Sequence, residues 1–291
     1  MANANKYVIE GDNRLKKSLF EIFRTDDKYE TALELYEKAK NLYTMNKDWD
    51  NAIKVLMKIL KCNTELKNEN EVYKCYVDIS KIYRKNKNTE HIEYLKKAID
   101  ISLNTGKFNQ AGKLYSEIGD YYFDADVKYD NALDYYLLAI ENYELDVETK
   151  RYMYQMIEVR EKIAKIHIHE KRYDKAGNEY EKVAFEHMKV HTLRFSVKKY
   201  LFHANICHLA FDHILCMRKV EEYASVCNDY DNSKEYILMK NILECYKNYD
   251  KDKFSEYIKE HDKISAFDAI YIKILLVIKQ NMEDPEEEEL I

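Results

Sequence analysis

A few side chains in this sequence stand at spacings that could support metal binding. His187 and His191 are four residues apart, and His167 lies close to His169, so either pair could offer nitrogen ligands to a metal ion. No flanking Glu or Cys completes a ligand set at either pair. We therefore expect no metal site at these histidines.

Other features needed for catalysis are missing from the sequence. The five glycines are scattered, so they cannot form the glycine-rich loop that holds a nucleotide phosphate. Asp120 and Asp124 are spaced as ordinary acids on a helix surface. The six cysteines form no Cys-x-x-Cys pair and are typical of buried thiols in a reducing compartment. We predict no enzymatic activity, no cofactor and no nucleic-acid partner.

The last ten residues, 282–291, form the most distinctive segment. They hold six acidic groups and no base, and they end in Leu290 and Ile291. An acidic run is solvated and repels itself, so the two apolar residues at its tip are exposed and indicate contact with a partner. The chain carries a net charge of −6, which equals the charge of this tail, and the partner of the tail should therefore be basic.

Composition predicts an all-α protein. With 291 residues, 46% of them hydrophobic, the chain can bury a sizeable core, but five glycines and one proline are too few for many strands and hairpins. The first twenty residues are polar and do not resemble a signal peptide. The longest apolar run, 269–278, is interrupted by Lys273 and is shorter than a membrane span. A cytoplasmic protein is expected.

One pattern recurs along the chain, and its spacing predicts the architecture. An aromatic residue is followed by an alanine three positions on and by a tyrosine or leucine four further, with the alanine at Ala32, Ala52, Ala111, Ala132 and Ala176. These offsets place all three residues on one helical face, where the small alanine lets a neighbouring helix approach closely. Neighbouring markers lie about 20 residues apart, so two helices would form a hairpin of about 40 residues.

The repeat therefore predicts a tetratricopeptide-like, right-handed helical-hairpin solenoid. The tryptophan and glycine landmarks of the 34-residue motif are absent, so the hairpins should be longer and divergent. From about residue 210 the alanine pattern fades, although the amphipathic pattern continues. We expect an N-terminal segment at 1–28, the solenoid at 29–211, a C-terminal helical bundle at 212–281 and the acidic tail at 282–291.

Several short motifs make the chain resemble a known family. They are Cys75–Asp78, Gly106–Phe108, Asn205–His208, Leu238–Lys240 and Ile258–Asp262, followed by the apolar run at 275–279 and an acidic tail ending in leucine plus one residue. In this order and spacing the sequence resembles the soluble NSF attachment proteins (SNAPs), from about Leu15 to the last residue. The stretch 258–278 favours the α/β type over the γ type.

This resemblance implies an adaptor. Proteins of the family bind the assembled four-helix bundle of syntaxin-type and other SNAREs. They recruit the hexameric AAA ATPase NSF and stimulate it, so that NSF pulls the bundle apart. The resemblance thus implies a role in membrane fusion, ER–Golgi transport and other intracellular protein transport. It also implies a cytoplasmic protein bound peripherally to membranes, monomeric in isolation, with several copies in each complex.

The resemblance also implies a set of bases facing an acidic SNARE surface. Glu158 and His203 stand where the family's pattern suggests lysine, which weakens the set. An alternative is that many of these side chains are simply solvated, as in any chain with 34% charged residues. The matching positions are Arg84, Lys85, Lys107, Lys113, Lys162, Arg194 and Lys198.

Two further elements follow from the resemblance. The first is an apolar loop that enters the lipid bilayer in this family, and the matching residues are Leu19, Phe20, Ile22 and Phe23. The family's flanking glycines are missing here, and Glu21 lies within the loop. The alternative is that these residues form the apolar face of an N-terminal helix.

The tail is the second of these elements. Glu286, Glu287, Glu288 and Glu289 would meet basic grooves on NSF, and Leu290 matches the penultimate leucine that stimulates ATP hydrolysis. A merely solubilising tail would not require that leucine. A generic tetratricopeptide-type scaffold, with no link to membrane fusion, is the alternative function. It would depend neither on the N-terminal phenylalanines nor on the C-terminal leucine.

Overall fold

The computed structural model describes residues 2–16, 25–86, 88–125, 127–146, 153–228 and 230–282. Within these ranges the chain forms fourteen α-helices, a short 3₁₀ turn at His191–Leu193, and no β-strand. The predicted all-α class is therefore confirmed. The first seven helices are α1 (Ala2–Lys16), α2 (Thr25–Met45), α3 (Trp49–Glu65), α4 (Glu69–Lys85), α5 (His91–Asn104), α6 (Phe108–Asp124) and α7 (Tyr129–Leu145). The next seven are α8 (Met153–His169), α9 (Tyr173–Met188), α10 (Arg194–Phe211), α11 (His213–Val226), α12 (Lys234–Lys247), α13 (Lys251–Ile264) and α14 (Ala269–Gln280).

The recurring pattern of the sequence marks the starts and the buried faces of helices. Its aromatic residue is the first residue of α3, α6, α7 and α9, at Trp49, Phe108, Tyr129 and Tyr173. All five marker alanines are completely buried, with 0% of their surface exposed. Each helix from α1 to α6 packs against the next one along the chain. This nearest-neighbour packing is that of the predicted tetratricopeptide-like helical-hairpin solenoid.

Six connections between helices share one tight turn. A residue with positive φ stands two positions before the next helix, and the N–H of the following residue donates to a carbonyl near the end of the preceding helix. Between α2 and α3, for example, Lys47 has a φ of 56° and the Asp48 N–H donates to the Tyr43 carbonyl at 2.9 Å. The positive-φ residues of these turns are Lys47, Lys67, Gly106, Val127, Lys171 and Tyr249. The mostly polar residues at 45–48 and 104–107 indicate turns in the sequence, but because only one of the six positive-φ residues is a glycine, their backbone conformation was not visible there.

Two helix pairs are joined by the same contact between a tyrosine and a Gly-Asp dipeptide. In the α6–α7 pair, the Tyr136 ring covers Gly119, where an added Cβ would lie 2.6 Å from the ring. The Tyr136 hydroxyl donates to the Asp120 carboxylate at 2.7 Å. Tyr36 of α2 repeats this arrangement over the Gly11–Asp12 dipeptide of α1. The glycine thus allows the aromatic ring to reach the neighbouring backbone.

The chain divides into two compact units, Met1–Val147 and Glu148–Ile291. In the second unit one continuous core extends from Ala164 to Met282. Helix α10 lies at its centre, because it packs against α9, α11, α12 and α14. The bounds of the four segments expected from the sequence were set from the repeat pattern, and they stay a prediction.

Candidate functional site

Three of the seven predicted SNARE-binding bases lie along α4 and α6 in the first unit. Arg84 pairs with Glu117 at 2.9 Å, and the Lys107 ammonium donates to the Asn70 side chain. Because these two contacts join corresponding ends of the helices, α4 and α6 run side by side in the same direction. Lys113 lies one turn before Glu117 on the same side of α6, so these three bases are spread along one side of the α4–α6 pair.

The base next to Arg84 points elsewhere. The Lys85 ammonium lies 5.0 Å from the centre of the Trp49 ring at the start of α3. A cation over an aromatic face is attracted to it, so Lys85 has a structural contact within the unit. Lys113, by contrast, is exposed and has no hydrogen-bond or ion-pair partner among the described residues.

The other three predicted bases belong to the second unit. Lys162 in α8 pairs with Glu158 at 3.2 Å, one turn earlier on the same helix. Arg194 and Lys198 stand together in the first two turns of α10 and line a cavity of about 210 Å³ with Met188, Val197 and Val226, among others. In the described part of the chain neither Arg194 nor Lys198 has an ion-pair partner.

A large apolar side chain beside these two bases was not predicted. Phe195 is 81% exposed, more than any other large hydrophobic residue of the described chain. The neighbouring Val197 and Leu201 are buried and define the inner face of α10. A helical-wheel reading of this segment could have found Phe195, because its position falls outside that inner face. Exposed aromatic residues next to bases are typical of protein-binding surfaces.

His203, which stands at an expected lysine position, is not on the surface at all. It is buried in α10, and its Nδ1 shares a hydrogen bond of 2.7 Å with the Tyr271 hydroxyl of α14. The two rings also stack with their centres 3.8 Å apart. Burial, helped by Lys199 and Lys165, keeps the pKa of His203 well below its usual value. His203 therefore belongs to the core and adds no charge to the surface.

In the described part of the chain, neither the histidine pairs nor the cysteines considered above are arranged for metal binding or thiol chemistry. Among the residues that the structure describes, no three His, Cys, Asp or Glu side chains gather as a metal site would require. His187 is buried and hydrogen bonds to the Ser196 hydroxyl, whereas His191 is exposed. The cysteines are buried free thiols, and burial raises the pKa of Cys62 to about 11 and that of Cys75 to about 12. Such thiols are protonated and unreactive at neutral pH.

Two predicted elements lie outside the described residues. They are the membrane loop, with Leu19, Phe20, Ile22 and Phe23, and the acidic tail, with Glu286, Glu287, Glu288, Glu289 and Leu290. The structure does describe the helix that precedes the tail: Tyr271, Ile274, Leu275 and Ile278 of α14 are buried, and so is Met282. Among the described helices, none has the length and apolar character needed to cross a bilayer.

Comparison with known proteins identifies the family. The sequence model described as "Soluble NSF attachment protein, SNAP" matches residues 2–283. The chain belongs to the soluble NSF attachment protein family. The SNAP family includes an α-soluble NSF attachment protein of Mus musculus, which is 28% identical over 290 residues, 99% of this chain and 97% of that protein. A β-soluble NSF attachment protein of Bos taurus is 26% identical over 96% of this chain and 94% of its own length.

More distant relatives agree with this assignment. A probable vesicular-fusion protein sec17 homolog of Neurospora crassa is 27% identical over 90% of this chain and 89% of that protein. The predicted resemblance to the α/β-type SNAPs is thus confirmed, and as a member of this family the chain is an attachment protein and not an enzyme. The fold is also similar to a signal-transduction ATPase with a tetratricopeptide-repeat sensor from Pyrococcus horikoshii. The TM-score is 0.51 at 15% identity, over 97% of this chain and 44% of that one.

Proposed function

We propose that this SNAP-family protein is an adaptor that binds assembled SNARE complexes and recruits and stimulates the ATPase NSF, which disassembles them. The match of the family's sequence model to residues 2–283, which extends over both units, carries this proposal. The protein would act in membrane fusion and intracellular protein transport, including ER–Golgi transport. It would be cytoplasmic, monomeric in isolation and present in several copies on each SNARE bundle. Membership of the SNAP family does not favour the alternative function, a generic tetratricopeptide-type scaffold with no link to membrane fusion.

The first SNARE-binding surface in this proposal is formed by Arg84, Lys107 and Lys113. Exposed ion pairs contribute roughly 0.2–1 kcal/mol each, so several are needed and binding should weaken with salt. Lys113 has no competing partner, whereas Arg84 must leave Glu117 and Lys107 must leave Asn70. We therefore expect Lys113→Ala to weaken SNARE binding more than Arg84→Ala does.

The second surface is the start of α10, where Phe195 stands between Arg194 and Lys198. An exposed aromatic ring beside two bases suits an acidic helical bundle that also offers an apolar side chain. Burying an aromatic ring contributes more free energy than one exposed ion pair. Phe195→Ala should therefore reduce SNARE affinity more than Arg194→Ala, and the loss should be less sensitive to salt. Lys85 and Lys162 already have intramolecular contacts, so we assign them smaller contributions.

The acidic tail is proposed to bind NSF. Helix α14 is held in the core by its buried face, so it would present residues 283–291 from a fixed point. Glu286 to Glu289 would meet basic grooves of NSF, and Leu290 would trigger ATP hydrolysis. The variant Leu290→Ala should keep SNARE binding and lose most of the NSF stimulation. Unchanged stimulation would contradict this role of the tail.

Peripheral attachment to membranes is assigned to Leu19, Phe20, Ile22 and Phe23, with Lys16 and Lys17 near anionic headgroups. The paired variant Phe20→Ser/Phe23→Ser should reduce sedimentation with anionic vesicles and leave SNARE binding in solution unchanged. If vesicle binding does not change, the segment is not the membrane contact.

The experiment that tests the function combines capture and recruitment. A preassembled SNARE bundle on beads should retain the protein, and NSF should be retained only when the protein is present. Binding at low salt that disappears at high salt would agree with the proposed basic surfaces. Retention of NSF without the protein, or no binding to the bundle, would refute the adaptor role.

A further inference from the structure

The buried face of α14 carries one polar group among aliphatic side chains. It consists of Tyr271, Ile274, Leu275 and Ile278, each of them at most 3% exposed. Aliphatic contacts are attractive but not directional, so they fix the rotation and register of a helix less sharply than a buried hydrogen bond does. The Tyr271 hydroxyl is therefore the group on this face that can select one orientation of α14.

Tyr271 meets His203 of α10 through two contacts. The Tyr271 hydroxyl shares a hydrogen bond of 2.7 Å with His203 Nδ1, and the two rings stack with their centres 3.8 Å apart. Tyr180 of α9 packs against both rings, with its centre 5.4 Å from that of His203 and 6.1 Å from that of Tyr271. Because a hydrogen bond weakens steeply when its distance or angle changes, this pair is sensitive to any rotation or sliding of α14.

The start of α14 has little else to fix it. Asp268 is the N-cap residue, but in the described part of the chain its side chain accepts no hydrogen bond from the first turn. A cavity of about 140 Å³, lined by Tyr271 and His203 among others, lies beside this turn, so the packing leaves space there. Just before α14 the Phe267 N–H donates to the Asp262 carboxylate at 2.8 Å, but that contact is exposed. The buried pair thus holds the first turn in place.

The far end of α14 has a looser directional contact. The Lys279 ammonium donates to the Ser255 hydroxyl of α13 at 2.6 Å. Lys279 is only partly buried, and its flexible four-carbon side chain can follow a helix that rotates. The 12 residues of α14 form a rod about 18 Å long, which transmits the orientation of its start to its end. The rotation of α14 therefore decides the direction in which residues 283–291 leave the second unit.

We propose that His203 is a positioning residue, which acts through Tyr271 to fix the rotation and register of α14 and so the direction of the acidic tail. A buried polar pair contributes little net stability, because it replaces hydrogen bonds with water, but it can select one packing among several. The inference rests on the proposed role of the tail, since NSF would then meet a tail that leaves in one direction. His203 itself would contact neither SNAREs nor NSF.

Methyl NMR of the full chain, labelled at isoleucine and leucine, tests this positioning without NSF. The double variant His203→Phe/Tyr271→Phe replaces both polar groups by apolar rings of similar shape, so the fold should be kept. The wild type should give one signal for each methyl group of Ile274, Leu275 and Ile278. The double variant should give several signals or broadened ones. One sharp set in the double variant, or several sets in the wild type, would refute the positioning role.

A matched control removes another buried pair of the second unit. Asn205 of α10 donates to the Tyr230 hydroxyl at 3.1 Å, and Tyr230 precedes α12. The variant Asn205→Leu/Tyr230→Phe should leave the methyl signals of α14 single. If the first double variant does not fold, Tyr271→Phe alone, which removes only the hydroxyl, should broaden the same signals. His203→Asn, which keeps a polar atom near the position of Nδ1, should leave them sharp, and broad signals in that variant would contradict the proposal.

Stimulation of NSF separates positioning from triggering. If α14 takes several orientations, only a fraction of the protein presents the tail productively, and the apparent affinity falls by that fraction. For a productive fraction of about one tenth to one third, the double variant should need about three- to tenfold more protein for half-maximal stimulation. Its maximal rate and its SNARE binding should not change, whereas Leu290→Ala should lower the maximal rate.

The two measurements also separate this inference from the proposed function. An unchanged half-maximal concentration in the double variant would contradict the positioning role, and so would an equal increase in the control variant Asn205→Leu/Tyr230→Phe. A wild type that binds the SNARE bundle without stimulating NSF would refute the proposed role of the tail instead. In that case the methyl signals of α14 still decide whether His203 fixes the helix.

Discussion

His208 should make the second unit sensitive to acid. This histidine of α10 is 1% exposed, neither ring nitrogen has a hydrogen-bond partner in the described chain, and its ring lies against Gly177 of α9. Burial lowers the pKa of His208 to about 4. The folded protein therefore excludes the proton that the unfolded chain accepts near pH 6.5. Asp174 and Glu222 oppose this shift, but the desolvation of the ring is the larger effect.

The direction and size of the effect follow from proton linkage. Above about pH 6.5 His208 is neutral in both states and causes no pH dependence. As the pH falls from there to about 4, only the unfolded chain takes up the proton, so the free energy of unfolding decreases. A difference of about 2.5 pKa units corresponds to a loss of about 3 kcal/mol. Burial also lowers the pKa values of His167, His187 and His261, which adds to the loss.

The variant His208→Leu isolates this contribution, because leucine fills a similar space and does not titrate. Urea unfolding followed by circular dichroism gives the free energy of unfolding at about pH 7.5 and about pH 4.5. The loss between the two should be smaller in the variant than in the wild type by about 2–3 kcal/mol. His213→Leu, at an exposed histidine, should behave like the wild type. If His208→Leu loses as much stability in acid as the wild type, the assignment to His208 is wrong.

Three further substitutions test the fold. Gly119→Ala should lower the free energy of unfolding by about 1–2 kcal/mol, because the new Cβ would lie 2.6 Å from the Tyr136 ring. A higher melting temperature in thermal unfolding would contradict this and show that the helix propensity of alanine dominates. Lys171→Gly should raise the free energy of unfolding by roughly 0.5–1 kcal/mol, because Lys171 has a φ of 58°, which glycine adopts more readily than lysine. A lower melting temperature of the variant would contradict this. Asp212→Ala should lower the free energy of unfolding by about 1 kcal/mol, because the Asp212 carboxylate caps α11 by accepting hydrogen bonds from the Ile214 and Leu215 N–H groups. An unchanged midpoint of urea unfolding would contradict this prediction.

Much of the fold could be predicted because the repeat is a local signal. Offsets of three and seven residues place side chains on one helical face whatever the partner helix is, so the marker alanines were located from the sequence. The backbone conformation of the tight turns could not be predicted. Lys47, Lys67 and Lys171 have the positive φ usually associated with glycine, and nothing in their residue type indicates it. Their conformation is imposed by the packing of the two helices that each turn connects.

The candidate site was harder to predict, because exposure depends on contacts between distant residues. Sequence alone could not separate Lys113, which is free to bind, from Lys85, which lies over Trp49. It also could not show that His203 meets Tyr271, 68 positions away, and is buried by that contact. Phe195 was overlooked because apolar residues usually belong to the core. Only the packing of α10 shows that this side chain points outward.

The most direct test of the proposed adaptor role is the rate of ATP hydrolysis by NSF on a preassembled SNARE bundle. The assay compares no addition, the full chain and a form that ends at Glu289. We predict stimulation by the full chain and little stimulation by the shortened form, which should still bind the bundle. No stimulation by the full chain, despite binding to the bundle, would contradict the account.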